Sequence, residues 1–362
     1  MSKVIPVQVK KTCCKMYEQG KTPRDIYNEY YKDSVDNPAK LAAFRNMLHR
    51  WNKHKYADRA TLDSGTYEGF TAHDATVQVS KSGEIIQAWI KQTANGIDTD
   101  EFIAAVRAST EPYDYIPPAI EASNRMLEID LFDMHWGVAY MDHYEPVLKE
   151  LLELINSRTW DEIVIPFGQD FFHNDSIVNG QTTKGTHIEK VDMMRAVKEG
   201  KRFMYSLIEN ASHKAKHVKI LYTAGNHDRS ISWMFMQVLQ ERFGRIGSIT
   251  IDDSLEFRKV ISYGNNAVMI THGDSKQATA KNLAHIFPIS FPKEFAEATV
   301  REVHAGHLHH EAEADIYGVM VRRLSTGGKV DGWSDREDFV GAHRRFMAFE
   351  WDRNKLASIH YI

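Results

Sequence analysis

The sequence predicts an α/β protein in which a layered domain follows a short, basic, all-helical segment. Three observations lead there. From about Asn124 onward, strand-length apolar runs alternate with amphipathic helical stretches, the pattern of a layered α/β fold. Five of those apolar runs end in clusters of carboxylate, amide or imidazole side chains, and in α/β folds ligands collect at such strand ends. Residues 10–55, by contrast, read as helices.

The first helix is KKTCCKMYEQG; Gly20 and Pro23 separate it from TPRDIYNEYYKD, with Thr22 as the N-cap. The third follows Asn37-Pro38. In it Leu41, Phe44, Met47, Leu48 and Trp51 recur at helical spacing and leave Lys40, Arg45, Arg50, Lys53 and Lys55 outward. The chain carries a net charge of −4, yet residues 1–56 hold 12 Lys and Arg against 5 Asp and Glu, a local +7. The remainder stands at −11, with 33 against 44. These five cations are candidate nucleic-acid contacts, because a basic surface releases counterions from a phosphate backbone. Three short helices with a basic last one resemble a helix-turn-helix DNA-binding domain, and a small helical packing or protein-interaction module fits the pattern as well.

Residues 57–66 are small, polar and aperiodic, as a linker is. ATVQVSKSGEIIQAWIK alternates about Lys81-Ser82-Gly83 and predicts a β-hairpin; TDEFIAAVRAS predicts a helix. Residues 57–123 are thus read as a linker and small α+β connector between a helical domain (1–56) and a catalytic domain (124–362). Within the latter, helices are expected near 145–156, 189–213, 232–243, 277–286 and 292–299. The late runs GVMVRRLS, RRFMAFEWD and KLASIHYI require more strands than one simple parallel sheet would use.

At 362 residues the chain is long enough for a sizeable core and two or three domains. Its apolar stretches are short and interrupted by charge, and MSKVIPVQVKKTCC lacks the apolar core of a signal peptide, so a cytoplasmic protein without membrane contact is expected. The two cysteines, Cys13 and Cys14, are adjacent, which excludes a disulfide framework.

The chemistry lies in the five clusters. Asp133-Met134-His135 follows MLEIDLF, Asp170 follows DEIVIPF, and Asn226-His227-Asp228 follows KILYTAG. His272 follows AVMIT, and His307-Leu308-His309 follows REVHAG. Asp133, His135, Asp170, Asn226, His272, His307 and His309 form a hard-to-borderline donor set without thiolate, suited to two divalent cations. Manganese is the expected metal, with iron, zinc or magnesium as alternatives. Two such ions can hold a phosphate, acidify a bridging water and stabilise attacking and leaving oxygens. His227 is the candidate general acid or phosphate contact, and Asp228 is read as orienting local backbone and side chains rather than binding metal.

The motifs D-M-H, G-Q-D-F-F-H, G-N-H-D, T-H-G-D and G-H-L-H, in this order, resemble those of calcineurin-like metallophosphoesterases over residues 124–362. The resemblance implies a four-layer αββα sandwich with the metals at the sheet ends. It assigns Asp133, His135, Asp170 and His309 to one metal and Asp170, Asn226, His272 and His307 to the other, with Asp170 bridging. Phosphatases of that family carry a second Asp three positions after the bridging one. Here His173 stands there, and D-F-F-H is similar instead to the D-x-F-H of SbcD-type DNA-repair exonucleases, which implies a phosphodiester substrate. Two departures from those nucleases are Gln169, where a glycine usually precedes the bridging Asp, and the absence of a capping domain after MAFEWD.

Further candidates for substrate contact are Arg229, and Lys184 and His187 on the loop at 174–187, with Lys329 and Trp333 on a later loop. His304 and His310 are candidates to support the metal ligands. The resulting expectation is a dinuclear-metal phosphodiesterase that hydrolyses nucleic acid, DNA foremost, by attack of a metal-bridged hydroxide, with homodimerisation left open. The alternatives are a phosphomonoesterase or small-nucleotide phosphodiesterase, and a non-catalytic DNA-binding scaffold.

Overall fold

The computed structural model describes residues 7–31, 38–53, 70–79, 85–94, 99–116, 120–121, 123–329 and 343–362. The chain divides into two compact units, Met1–Asp98 and Thr99–Ile362. Among the described residues no helix is long and apolar enough to cross a membrane.

The first unit begins with helices α1 (Val7–Glu18), α2 (Pro23–Tyr31) and α3 (Pro38–Lys53). Thr22 caps α2 as the local chemistry dictates: its Oγ1 accepts from the Asp25 amide at 3.3 Å, and its own amide donates to the Asp25 carboxylate at 3.2 Å. The three helices share a small core of Cys13, Cys14, Ile26, Phe44 and Leu48. The Phe44 ring meets Tyr27 edge-on at 5.1 Å and Trp51 at 6.3 Å. Lys40 and Arg45 are exposed on α3. Lys55 and the side chains of Arg50 and Lys53 lie outside the described residues. Strands β1 (Phe70–Val79) and β2 (Ile85–Ala94) pair antiparallel, from Phe70 opposite Ala94 to Val79 opposite Ile85. The Lys81-Ser82-Gly83 turn falls outside the described residues.

The second unit opens with α4 (Thr99–Ser109), followed by a four-layer αββα sandwich. Its first sheet contains β3 (Arg125–Asp130), β4 (Trp160–Gly168), β5 (Ala215–Thr223), β6 (Ile249–Asp252), β12 (Met347–Asp352) and β13 (Leu356–Tyr361). They lie in the order β13-β12-β3-β4-β5-β6. The second contains β7 (Arg258–Tyr263), β8 (Asn266–Thr271), β9 (Val300–Ala305), β10 (Ala312–Ile316) and β11 (Val319–Arg323), ordered β10-β11-β9-β8-β7. Both sheets are mixed. β3 to β6 run parallel, with antiparallel β12 and β13 added beyond β3; β8, β9 and β11 run parallel, with antiparallel β7 and β10 at the two edges.

Period-two alternation sorts each strand between layers. On β3, Leu127 and Ile129 face a helix-side core with α5 (Met141–Asn156), α6 (Met193–Lys214) and α7 (Arg229–Phe243), while Met126 joins the core between the sheets. On β8, Val268 and Ile270 face the gap between sheets, and Ala267 and Met269 face α8 (Ala280–Ser290) and α9 (Pro292–Glu297). Met347, Phe349 and Trp351 of β12 fill the gap from the opposite side. Helix α4 docks on α7 through Arg107 and Glu241 at 2.9 Å.

This architecture fixes where the polar clusters fall. Adjacent parallel strands β3, β4 and β5 release the chain just before Asp133, Asp170 and Asn226. Their counterparts β8 and β9 do so before His272 and His307. Two parallel sheet edges therefore deliver all five turns.

Candidate metal centre

The turn after β3 is stitched to the turn after β4 by backbone bonds: the Asp133 amide donates to Gln169 O at 2.8 Å and the His135 amide to Asp170 O at 3.0 Å. Each carboxylate then accepts from the next ligand-bearing turn. Asp170 Oδ1 takes the His227 amide at 2.7 Å, and Asp133 Oδ2 takes the His307 amide at 2.7 Å. The packing leaves no room for a side chain on two neighbouring glycines. A Cβ on Gly225 would sit 1.9 Å from Asp170 Oδ1, and one on Gly306 2.4 Å from Asp133 Oδ2.

Backbone conformation marks the same place. Asp133, His135, Gln169, Asp170, His307 and His309 all have φ between 52° and 71°; elsewhere among the described non-glycine residues only Asn124 and Tyr317 are left-handed. Such geometry costs a residue with a Cβ about 1 kcal/mol or more and persists where the surroundings over-determine it. Gln169 meets this cost in place of a glycine. Its amide is not offered to the donor set but donates to Thr223 Oγ1 at 2.5 Å, and its Oε1 is buried without a hydrogen-bond partner.

All seven sequence-predicted donors converge. Asp133, His135 and His309 form one group whose ligand atoms lie within 4.8 Å of one another, and Asp170, His272 and His307 form a second. His135 Nε2 is 3.2 Å from His309 Nε2, which lies 3.4 Å from Asp133 Oδ1. His272 Nε2 is 3.0 Å from Asp170 Oδ2 and 2.9 Å from Asn226 Oδ1. His272 Nδ1, 4.0 Å from Asp133 Oδ1, links the two groups.

Burial and charge suit a divalent cation. Asp133 Oδ1, His135 Nδ1 and His272 Nδ1 are buried with no hydrogen-bond partner, an arrangement that would be costly if nothing bound there. Burial, then His227 and His309, holds His135 well below the usual imidazole range, so it is neutral and able to ligate. Burial likewise lowers His307. Although burial opposes it, Asp170 is held well below the carboxylate range by His272 and His227. Burial also opposes the change at His272, yet Asp170, Asp133 and Asp274 raise it to about 9. Imidazole ligates only when neutral, so a divalent cation held by these carboxylates would displace that proton.

The remaining predicted residues divide. His173 is buried, and its ring lies 5.5 Å from His135 and 5.3 Å from His227. His227 Nδ1 bonds the His173 carbonyl at 2.9 Å; because a carbonyl only accepts, Nδ1 carries the proton and Nε2 is the nitrogen left for other work. Asp228 is fully buried, and its Oδ2 accepts the Phe172 amide at 2.8 Å. Burial, then Asp170, pushes its carboxyl well above the usual range. Arg229 stacks on Phe257, with 4.8 Å between its guanidinium and the ring centroid. Lys184 and His187 are exposed on a loop anchored beside the centre by the Thr183 amide, which donates to Asn226 O at 3.1 Å. Neither joins the converging groups. Lys329 is exposed, and Trp333 lies outside the described residues.

His304 corrects the sequence reading. Both its nitrogens are taken by carboxylates between the sheets, Nδ1 by Glu128 at 2.9 Å and Asp130 at 3.1 Å, and Nε2 by Glu302 at 3.2 Å, so it does not support the donor set. His310 Nδ1 turns back to Leu308 O at 3.0 Å.

Three supports were not visible in the sequence. Thr326 Oγ1 donates to Asp133 O at 2.6 Å. Buried Arg323 donates to Gly306 O at 3.3 Å and to Ala278 O, tying the His307 turn to the loop after His272. Asp175 Oδ1 accepts the Ser230 and Ile231 amides at 2.7 and 2.9 Å, capping α7 from outside the helix. Only Arg323 left a signal, as half of an Arg-Arg pair in an otherwise apolar strand.

No protein-family model and no curated protein matches the chain. Solved structures do match. Wild-type Vps29 complexed with zinc from Entamoeba histolytica is 15% identical, over 66% of this chain and 97% of that one, with a TM-score of 0.32. A Streptococcus pneumoniae protein described as a predicted phosphoesterase is 12% identical, over 66% and 89%, at 0.31. An archaeal phosphodiesterase is 10% identical, over 66% and 99%, at 0.32.

Proposed function

We propose that this chain is a metal-dependent phosphodiesterase that holds two divalent cations, manganese foremost, and hydrolyses nucleic acid, DNA foremost, in the cytoplasm. The observation that carries the reading is the convergence of seven oxygen and nitrogen donors from five strand ends into two adjacent groups. Asp133, His135 and His309 would hold one cation, Asn226, His272 and His307 the other, with Asp170 between them. When bound, the pair supplies Lewis-acid charge to a phosphate and lowers the pKa of water.

The chain's own residues supply the rest. Asp133 and Asp170, each fixed by a backbone amide, keep the two groups in register. His227, its Nδ1 tethered to His173 O, presents Nε2 to protonate the departing oxygen or hold the phosphate. His173, in place of a second carboxylate, adds an imidazole where a diester's charge would sit. The exposed Lys40 and Arg45 on α3 support a role for the helical segment in gripping a polymer.

The test is a manganese-supplemented panel of single-stranded DNA, duplex DNA, RNA, cyclic dinucleotides and simple monoesters. Cleavage of the diesters is expected, together with its loss in Asp170→Ala and His272→Ala. Hydrolysis surviving both changes, or confined to monoesters, overturns the reading. A Lys40→Glu/Arg45→Glu variant is expected to lose activity on long DNA more than on dinucleotides.

A further inference from the structure

Phe257 is 52% exposed and Leu255, two residues earlier, 64% exposed. The place of Phe257 is set by strand register. Arg258 pairs with Thr271 between β7 and β8, so Phe257 stands one step further along, beside His272. The Phe257 carbonyl also accepts from Thr271 Oγ1 at 3.2 Å. From the other side Arg229 lays its guanidinium 4.8 Å from the ring centroid. Arg229 is the first residue of α7, three past Asn226. Its amide donates to Thr183 Oγ1 at 3.2 Å, and the Thr183 amide donates to Asn226 O at 3.1 Å. The Arg229–Phe257 contact therefore joins the turns that present Asn226 and His272. Arg229 Nε is buried there with no hydrogen-bond partner.

A half-exposed phenyl ring fixed on one side by a cation offers its remaining surface to a planar group, and aromatic–base stacking of this kind tolerates any base because every base has a π-face. A generic apolar partner would gain nothing from the guanidinium. We propose that Arg229 and Phe257 form a stacking platform for the nucleobase attached to the phosphodiester undergoing hydrolysis, with Leu255 extending its apolar edge. The platform rests on the phosphodiesterase reading of the same site and adds to it a preference for nucleoside esters.

Two esters with one leaving group test it on the full-length, manganese-loaded protein: thymidine 5′-(p-nitrophenyl phosphate) and methyl p-nitrophenyl phosphate. The ratio of their kcat/KM values is expected to favour the nucleoside and to fall about tenfold in Phe257→Ala, the scale of one lost base stack, while Phe257→Trp retains it. A second readout needs no turnover. The fluorescence of Phe257→Trp should be quenched by thymidine 5′-monophosphate, beyond any change in the unsubstituted protein, and not by inorganic phosphate. Turnover of both esters with the ratio unchanged in Phe257→Ala, or no added quenching in Phe257→Trp, overturns the platform. Failure of the unsubstituted protein to hydrolyse either ester overturns the phosphodiesterase reading instead.

Discussion

Replacing Asp130 by asparagine should stabilise the protein at slightly alkaline pH, against the usual outcome for a buried polar residue. Asp130 and Glu128 of β3 meet His304 and Glu302 of β9 between the sheets. Arg322 of β11 pairs with Glu302 at 2.5 Å, with Glu313 of β10 on its far side. From β12 the Trp351 indole donates to Glu128 at 2.9 Å, and Phe349 covers His304 with 4.2 Å between ring centroids. The buried centre thus holds three carboxylates against two cations, so one carboxyl must keep its proton. Burial, then Glu128, pushes Asp130 up to about 8. In the unfolded chain it titrates near ~3.9. Between these values the native state binds a proton that the unfolded state lacks, and stability falls as pH rises, by about 1.4 kcal/mol per pH unit at most. His304 acts in the same direction. Although burial opposes it, Glu128 and Asp130 raise it well above the usual imidazole range, so its contribution is complete below about 6.5 and declines at higher pH. Asparagine mimics the neutral carboxyl and removes the first slope. From pH 5 to 8 the parent protein should lose up to about 4 kcal/mol more than Asp130→Asn, a large share of a typical 5–15 kcal/mol. Urea unfolding followed by far-UV circular dichroism at each pH measures this. Parallel stability curves for the two proteins would refute the shared-proton argument.

On the proposed reading, Gly225→Ala should weaken divalent-cation binding about tenfold or more in calorimetric titration, because its Cβ would overlap Asp170 Oδ1 at 1.9 Å and that carboxylate cannot yield without leaving its neighbours. Arg323→Met should cost about 2 kcal/mol in urea unfolding, since it strands two buried carbonyls, and lysine should not restore them because it lacks the forked donors. Asp175→Ala removes an acceptor shared by two α7 amides and should cost about 1 kcal/mol, with faster hydrogen exchange confined to the first turn of α7.

What could be read without coordinates was local. Apolar runs of five to nine residues announced β3, β4, β5, β8 and β9, and the polar residues just past their ends named the seven donors, since strand ends in a layered fold share an edge. The helical segment was legible for the same reason: Phe44, Met47, Leu48 and Trp51 repeat at the helical period and do face its core. The assignment of His304 failed because proximity in sequence to His307 and His309 says nothing about which face of β9 a side chain takes.

The sequence by itself determined which residue types stand at strand ends, and so the donor chemistry of the centre. Tertiary structure decided the left-handed backbone that turns Asp133, His135, Asp170, His307 and His309 to their neighbours, the seat of Arg323 beneath two ligand turns, and the meeting of Arg229 with Phe257. The division follows from range. Periodicity and capping act over a few residues, whereas these contacts join segments far apart in the chain, Arg323 within one sheet and Arg229 with Phe257 across the two sheets whose facing apolar sides exclude water.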